Sequence, residues 1–257
     1  MFKEGSIVSR KKYNNDIIFK IVKIDKEIYY LKGLNVRLYA SADKEDLVLE
    51  ENIRNEKDEE FFDDINEVMN RNDYFYIPGK ILHIDADEEY LNRCLKLYKK
   101  ANVVAYGIVD SEDNFFLNID KYLNDTNPDI VIITGHDAYY KKKGQKDNIE
   151  SYKNSKNFTE AVKAARNYEK SYEKLKIIAG ACQSDYESLI NSGANFASSP
   201  KRVNIHALDP AIIAIGIALT ENTKELDVVN LIDKTKCKKE GFGGIKTYGS
   251  MYVGYPK

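Results

Sequence analysis

Two short apolar runs, each leading directly to a residue capable of nucleophilic or acid–base chemistry, constrain the fold of this chain most. Residues 130–133 lead to His136, and residues 177–181 lead to Cys182. The length and β-branched content of both runs are typical of strands buried on both faces of a sheet. A helical pattern lies between them, so we predict parallel neighbouring strands joined by a crossover. Because ligands bind beyond the carboxyl ends of such strands, His136 and Cys182 are expected at one site.

The sequence around these runs alternates between strand and helix patterns from residue 75 onward. Asp87 is placed to cap a helix whose apolar positions, among them the core residue Cys94, recur at helical spacing. Ser184 and Glu187 have the spacing of a capping box, and Gly193 is placed to end that helix. We also predict strands at 80–84, 102–109 and 195–197, helices at 112–124, 158–172 and 210–220, and a hairpin at 241–253. The alternation predicts an α/β domain with a mainly parallel sheet flanked by helices.

The first 50 residues have a different pattern, in which short strand-like runs are separated by turn signals. The predicted strands lie at residues 6–10, 16–24, 28–31 and 36–39. Several short strands in so short a segment favour a small SH3-like β-barrel. Residues 51–74 are dense in charge and are predicted to form a solvated linker or helix. The chain is therefore expected to divide into residues 1–50, 51–74 and 75–257, the last being the α/β domain.

Charge, hydropathy and cysteine content argue against several classes of function. The 257 residues carry a formal net charge of −2, which gives no electrostatic reason to expect nucleic acid or an anionic membrane as a partner. No apolar run approaches the roughly 18 residues of a membrane span, and the amino terminus lacks an apolar signal core, so we expect a cytoplasmic protein. Three widely spaced cysteines without a CxxC pair favour neither a disulfide framework nor a structural zinc site.

Cys182 and His136 are suited to act as a nucleophile and its base. A cysteine attacks as its thiolate, so the surroundings must lower its pKa. The helix predicted after Ser184 would direct its positive amino end toward Cys182, and His136 would accept the thiol proton. The amide of Cys182, with an amide near Gly135, is placed to stabilise an oxyanion. On spacing alone, the alternative is that Cys182 and His136 are core residues without chemistry.

Two other classes of protein remain open on the residues alone. A metal-dependent hydrolase would use histidine and aspartate ligands for zinc or manganese. The candidate ligands are His83, Asp85, His136, Asp137, His206 and Asp209. Such an enzyme would leave Cys182 without a role, and the chain contains no HExxH motif. In a non-enzymatic assembly module, the barrel would carry the function and the α/β part would be a scaffold.

The strand that ends in Ala181-Cys182, downstream of a strand that leads to His136, resembles the arrangement in caspase-like cysteine peptidases, which include the gingipain and clostripain relatives. Those peptidases have a glycine after the histidine, whereas here Gly135 precedes His136 and Asp137 follows it.

A longer resemblance, over nearly the whole chain, is to the YabG family of sporulation-specific peptidases. The motifs that carry it lie at residues 78–85 (Pro-Gly-Lys-Ile-Leu-His-Ile-Asp), 133–139 (Ile-Thr-Gly-His-Asp-Ala-Tyr), 180–184 (Gly-Ala-Cys-Gln-Ser), 193–200 and 203–210.

The YabG resemblance implies a cysteine peptidase with a Cys182/His136 dyad that is made during spore formation. It implies protein substrates among the spore coat and cortex-associated proteins, cleaved after basic residues, chiefly arginine. The implied location is the cytoplasm of the mother cell, with an association with the forming coat also open. Acyl transfer by a cysteine requires no cofactor.

Specificity for arginine requires a carboxylate in the substrate pocket, because a buried guanidinium must be paired. The candidates at the strand ends are Asp85, Asp87 and Asp185, of which we prefer the first two. A substrate chain is expected to pair with an edge of backbone. The residues proposed for the oxyanion are Gly135, Asp137 and Ala181, and those proposed for the substrate groove are Ser198, Ser199 and His206.

Overall fold

The amino-terminal part of the chain is a five-stranded antiparallel sheet. The computed structural model describes residues 2–50 and 75–254. The sheet has the order β4-β3-β2-β1-β5 and consists of β1 (Ile7–Arg10), β2 (Phe19–Asp25), β3 (Ile28–Gly33), β4 (Tyr39–Asp43) and β5 (Leu47–Leu49). Buried and exposed residues alternate along β2, which identifies the inner face of the sheet. Phe19 and Ile21 are buried, while Lys20 and Val22 are exposed. The buried side chains form a small core of their own.

The strands predicted at residues 6–10, 16–24 and 28–31 are confirmed, with differences of a few residues at their ends. The strand predicted at 36–39 was wrong except for its last residue, because β4 begins at Tyr39. Residues 34–38, here called the inserted segment, leave the sheet and contact the other part of the chain, where Val36 forms an isolated antiparallel bridge with His206. The predicted linker at 51–74 lies outside the described residues.

A six-stranded sheet organises the rest of the chain. Its order is β12-β11-β10-β9-β7-β8, and its strands are β7 (Ile81–Asp85), β8 (Ala105–Val109), β9 (Ile130–Thr134), β10 (Lys176–Ala179), β11 (Phe196–Ser198) and β12 (Phe242–Gly244). Five strands are parallel, and β12 runs antiparallel to β11. The predicted parallel pairing of the two apolar runs is therefore confirmed as β9 and β10.

Helices cover both faces of this sheet. One face packs against α1 (Glu88–Lys100), α5 (Asp209–Ala218) and α6 (Val228–Asp233), and the other against α2 (Phe115–Thr126), α3 (Ser155–Tyr168) and α4 (Tyr186–Asn191). Cys94 lies on the buried face of α1, as predicted. The prediction of an α/β domain with a mainly parallel sheet is thus confirmed. No helix among the described residues is both long and apolar enough to cross a membrane.

Three local predictions were wrong in part. The helix predicted at 158–172 spans Ser155–Tyr168, so it begins and ends a few residues earlier than predicted. Ser184 does not cap α4, because Asp185 is the N-cap and accepts a hydrogen bond from the Ser188 amide. The hairpin predicted at 241–253 does not form, since β12 pairs with β11 and β13 (Tyr252–Gly254) pairs with β6 (Phe75–Ile77). Such non-local pairing leaves no signal in a short glycine-rich run.

Candidate active site

Cys182 and His136 lie at the same edge of the parallel sheet. Ile133 of β9 and Ala179 of β10 lie opposite each other in the parallel pair. His136 and Cys182 each lie three residues beyond that pair, so both leave the carboxyl ends of neighbouring strands at the same level. This is the placement that the sequence predicted, at the edge where α/β proteins bind their ligands.

The Cys182 side chain is fully buried beneath this edge. Its sulfur accepts a hydrogen bond from the Ile205 amide at 3.3 Å, and the thiol donates to the Ile205 carbonyl oxygen at 3.8 Å. Burial raises the pKa of the Cys182 thiol to about 12. The expectation that the surroundings lower this pKa was therefore wrong for this conformation, in which the thiol is shielded from solvent and α4 begins only at Tyr186.

One ring nitrogen of His136 has a partner, and the other has none within the described residues. Nε2 lies 3.3 Å from Oδ2 of Asp87, whereas Nδ1 is buried and makes no hydrogen bond. The ring packs edge-on against Tyr39, with centroids 4.3 Å apart, and also contacts Tyr90, with centroids 5.8 Å apart. Asp87 therefore holds the imidazole in one orientation and leaves Nδ1 available to a second group.

Asp87 joins His136 to helix α1 and to the amino-terminal sheet. Its Oδ1 accepts hydrogen bonds from the Glu89 and Tyr90 amides, which caps α1 as predicted, and from Lys32 Nζ at 2.8 Å. Burial by itself raises the pKa of Asp87, but the hydrogen bonds from His136 and Lys32 bring it well below its usual range. The contact with His136 was missed from sequence, although β7 and β9 being neighbours brings the two residues to the same edge.

Asp85, at the end of β7, pairs with a fully buried arginine from the inserted segment. The guanidinium of Arg37 donates to the Asp85 carboxylate and also to the carbonyl oxygen of Ala207, at 2.8 and 3.2 Å. Thr134 donates to the same carboxylate at 3.0 Å. Burial alone raises the pKa of Asp85, but the charge of Arg37 and a hydrogen bond from His83 hold it well below its usual range. Asp85 is thus a buried carboxylate that already binds an arginine.

Asp185, the third acidic candidate, has different partners. It caps α4, accepts a hydrogen bond from the Ser188 hydroxyl at 2.7 Å and lies 3.2 Å from Nη2 of Arg202. Its carboxylate is buried, and Arg202 also reaches the exposed Glu187. Asp185 therefore belongs to a network at the start of α4, separate from the pair formed by Asp85 and Arg37.

The residues proposed for the oxyanion hole lie in the turns that follow the two strands, and hydrogen bonds hold these turns in place. The Asp137 carboxylate accepts hydrogen bonds from the hydroxyls of Ser155 and Ser184, and burial raises its pKa above the usual value. The Ala181 amide donates to the Ser184 hydroxyl at 2.9 Å. Beside Gly135, the amide of His136 donates to the Glu112 carboxylate at 2.9 Å. Asp137 and Ser184 thus connect the turn of His136 to the turn of Cys182.

The three residues proposed for the substrate groove divide into two groups. Ser198 and Ser199 donate hydrogen bonds to the Ala181 carbonyl oxygen, at 2.7 and 3.0 Å, and so support the turn that carries Cys182. His206 lies apart from them and forms an isolated antiparallel bridge with Val36 of the inserted segment.

Gly180 is required by the close approach between the Cys182 turn and its support. Its φ of +102° is one that residues with a side chain rarely adopt. A Cβ at this position would also overlap the Ser198 hydroxyl and the Leu189 side chain. The run of small residues before Cys182 therefore allows the strand end to turn, which places the sulfur beside Ile205.

The residues considered as metal ligands fall into several hydrogen-bond networks, in which His83 lies with Asp85 and His206 with Asp209. His83 bonds to Tyr98 and Thr134, at 2.7 and 3.0 Å, and Asp209 accepts from the Lys236 and Cys237 amides. Within the described residues, no group of three or more histidine, cysteine, aspartate or glutamate side chains is arranged to hold a metal ion. The arrangement at the sheet edge is therefore that of a thiol, an imidazole and carboxylates.

Comparison with known proteins identifies the family of this chain. The family model described as YabG peptidase U57 matches residues 3–72 and 52–256. The sporulation-specific protease YabG of Bacillus subtilis (strain 168) is 40% identical over 284 residues, which covers 99% of this chain and 98% of that protein. The chain belongs to the YabG peptidase family. The resemblance recognised in the sequence motifs is thus confirmed, and the function that it supports is that of a sporulation peptidase.

A comparison with solved structures adds nothing to the YabG assignment. A family 3 carbohydrate esterase from Clostridium thermocellum aligns with 44% of this chain and 66% of its own, at 12% identity and a TM-score of 0.28. A likeness of this size carries no argument about fold or activity. The chemistry of this YabG peptidase must therefore be inferred from its own side chains.

Proposed function

We propose that this chain is a cysteine endopeptidase of sporulation that cleaves proteins after basic residues, chiefly arginine. The observation that carries the proposal is that Cys182 and His136 lie at the same level beyond the carboxyl ends of neighbouring parallel strands. A thiol and an imidazole placed in this way are a nucleophile and its base. Family membership accounts for peptidase activity, and this pair is the best-placed chemistry for it.

In the proposed mechanism, His136 takes the thiol proton through Nδ1, and the Cys182 sulfur forms a bond to the scissile carbonyl carbon. Asp87 keeps the proton on Nε2, so that Nδ1 is the basic nitrogen. His136 then gives the proton to the leaving amine as the peptide C–N bond breaks. Water, deprotonated by the same imidazole, hydrolyses the thioester and frees the thiol.

Asp85 is the carboxylate that we assign to the substrate arginine. It already holds a buried guanidinium, whereas Asp87 holds His136 and Asp185 belongs to the network of Arg202. The additional bonds from the guanidinium to the Ala207 carbonyl oxygen would favour arginine over lysine, since a fork of donors matches two acceptors.

The finer features implied by the YabG resemblance complete the proposal. They are a caspase-like arrangement of the α/β domain at residues 75–257, an SH3-like barrel at residues 1–50, and a charged linker between them. The substrates would be spore coat and cortex-associated proteins, met in the mother cell cytoplasm or at the forming coat. Neither nucleic acid nor a cofactor is needed for this activity.

The test is the cleavage of fluorogenic peptides that differ only at P1, by the wild type and the variants Cys182→Ala and His136→Ala. We expect cleavage after arginine, weaker cleavage after lysine, and at least a roughly thousandfold loss of kcat/KM in both variants. Cys237→Ala is the matched control, because it removes another thiol whose pKa burial raises to about 12. Thermal unfolding of each protein separates loss of chemistry from loss of fold.

Three results would contradict the proposal in different ways. Unchanged cleavage by folded Cys182→Ala would place the nucleophile elsewhere, and inhibition by a chelator would then favour the metal-dependent hydrolase. Cleavage after residues other than arginine and lysine would refute the specificity while leaving the dyad. Full biological function of Cys182→Ala in sporulation would favour the non-enzymatic assembly module.

A further inference from the structure

The inserted segment, residues 34–38, runs across the edge of the sheet where Cys182 and His136 emerge. It pairs with the stretch around His206 as one extended chain pairs with another. The Arg37 amide donates to the Ile205 carbonyl oxygen at 3.3 Å, and the Ala207 amide donates to the Asn35 carbonyl oxygen at 2.9 Å. This is how a peptidase binds the backbone of a peptide along an edge of its cleft.

Arg37 lies beside the proposed nucleophile. Its amide and the Cys182 thiol both donate to the same carbonyl oxygen, that of Ile205. Its side chain is fully buried and reaches Asp85, so its backbone is at the sulfur and its charge is in the acidic pocket. A substrate with arginine at P1 must likewise place its backbone beside the Cys182 sulfur and its guanidinium against Asp85.

Other contacts hold the inserted segment in place. The Tyr90 hydroxyl donates to the carbonyl oxygens of Gly33 and Val36, at 2.5 and 2.9 Å, while its ring contacts His136. Lys32, just before the segment, pairs with Asp87, and Tyr39, just after it, covers the His136 ring. The segment and its flanks thus cover each group that the proposed mechanism uses.

We propose that the inserted segment is a built-in substrate mimic, with Arg37 in the P1 position, that keeps the active site closed until it is displaced. This inference rests on the proposed function and adds its regulation. It also defines the substrate-binding surface: Asp85 for the P1 arginine and the backbone of Ile205 and Ala207 for the residues at P1 and P3. A protein substrate would occupy the same edge after the segment leaves.

The backbone after Arg37 explains why the mimic is not a good substrate. The Leu38 amide, which would be the leaving amine, donates to the Val36 carbonyl oxygen at 2.8 Å, so the chain turns at Arg37 instead of continuing extended. Gly33 ends β3 and bonds to the Leu38 carbonyl oxygen at 2.8 Å, and Tyr39 begins β4. With both sides anchored in one sheet, a cut bond would keep its new amine beside the acyl-enzyme, which favours resealing.

The test loosens the segment in the full-length chain by two independent substitutions. Arg37→Ala removes the side chain from the acidic pocket, and Tyr90→Phe removes the hydroxyl clamp but keeps the ring at His136. Two rates are measured in each protein: alkylation of Cys182 by iodoacetamide, mapped by mass spectrometry, and cleavage of an arginyl peptide. We expect both rates to rise at least tenfold in each variant that folds. Arg10→Ala is the control, because Arg10 pairs with Asp46 on the barrel outside the segment, and it should leave both rates unchanged.

The outcomes separate this inference from the proposed function. Equal alkylation and cleavage rates in the wild type, Tyr90→Phe and Arg37→Ala would overturn the inference and leave the dyad standing. Faster alkylation without any cleavage of arginyl peptides would support the covering segment and contradict the peptidase mechanism. A wild-type chain found cut between Arg37 and Leu38 in its active form would overturn the mimic and make the segment a processing site. If Arg37→Ala fails to fold, Tyr90→Phe alone decides.

Discussion

Asp85→Asn is expected to lower the free energy of unfolding by about 3–5 kcal/mol, because it leaves the Arg37 guanidinium buried without its charge partner. Both side chains are fully buried, so solvent cannot compensate. The Ala207 carbonyl oxygen and the Cys94 sulfur would remain as the neighbours of the guanidinium, and neither carries a formal charge. Chemical denaturation of the two proteins at neutral pH measures the difference.

The double variant Asp85→Asn/Arg37→Met is the control for this prediction. It removes both charges and keeps an unbranched apolar side chain in the site of Arg37. Replacing both members of a buried ion pair is often neutral, so we expect most of the lost stability to return. If the double variant is as unstable as Asp85→Asn, the loss arises from the other hydrogen bonds of Asp85, such as those with Thr134 and the Asp87 amide.

The pH dependence of the same pair has a defined sign. The pKa of Asp85 is lower in the folded chain than in the unfolded chain, mainly because Arg37 overcomes the effect of burial. Its contribution to stability is therefore fully present above the unfolded pKa of about 4 and is lost as the pH falls through the folded pKa. The difference in stability between wild type and Asp85→Asn should accordingly shrink only under acidic conditions.

Asp87→Asn is expected to lower kcat for an arginyl peptide by a factor of about 10²–10⁴. The asparagine oxygen can still accept from the Glu89 and Tyr90 amides, so the cap of α1 persists. Its amide group, however, would donate to Nε2 of His136, which places the imidazole proton on Nδ1. His136 would then present a donor where the mechanism needs a base. Steady-state kinetics in the variant background that opens the cleft, Arg37→Ala or Tyr90→Phe, measures the effect.

Lys32→Gln is the matched comparison for Asp87→Asn. It removes the charge that pairs with Asp87 but leaves the contact between Asp87 and His136. We expect kcat to change by no more than a few-fold in this variant. A loss in Lys32→Gln as large as that in Asp87→Asn would mean that the charge balance of Asp87, and not the orientation of His136, determines the rate.

Most strands, and the parallel pairing of the two apolar runs, could be predicted from sequence because they depend on local patterns. The apolar runs before His136 and Cys182 have the length and β-branched content of buried parallel strands, and Asp87 carries its own capping signal. The positions of β12 and β13 could not be predicted, since their partners, β11 and β6, lie far away in the chain. The boundaries of α3 and α4 were displaced because several polar residues near each end are able to cap a helix.

The placement of the candidate site residues could be predicted, but their contacts could not. Parallel strands bring His136, Cys182 and the acids after β7 to one edge, and this follows from topology. The arginine that pairs with Asp85 comes from the inserted segment, which overlaps the barrel strand predicted at residues 36–39. A strand-like pattern is typical of an extended chain that pairs with another segment, but it does not identify that segment. The burial that raises the pKa of Cys182 could not be foreseen from the residues beside it.

The most direct test of Cys182 as the nucleophile is to map the covalent adduct of a peptidyl-arginine chloromethyl ketone by mass spectrometry. The thiolate displaces chloride from the ketone and forms a stable carbon–sulfur bond. We predict one adduct per chain, on Cys182, that forms together with the loss of cleavage and is absent in His136→Ala. Loss of cleavage with the adduct on Cys94, Cys237 or any other residue, or cleavage that persists after Cys182 is fully modified, would contradict the mechanism.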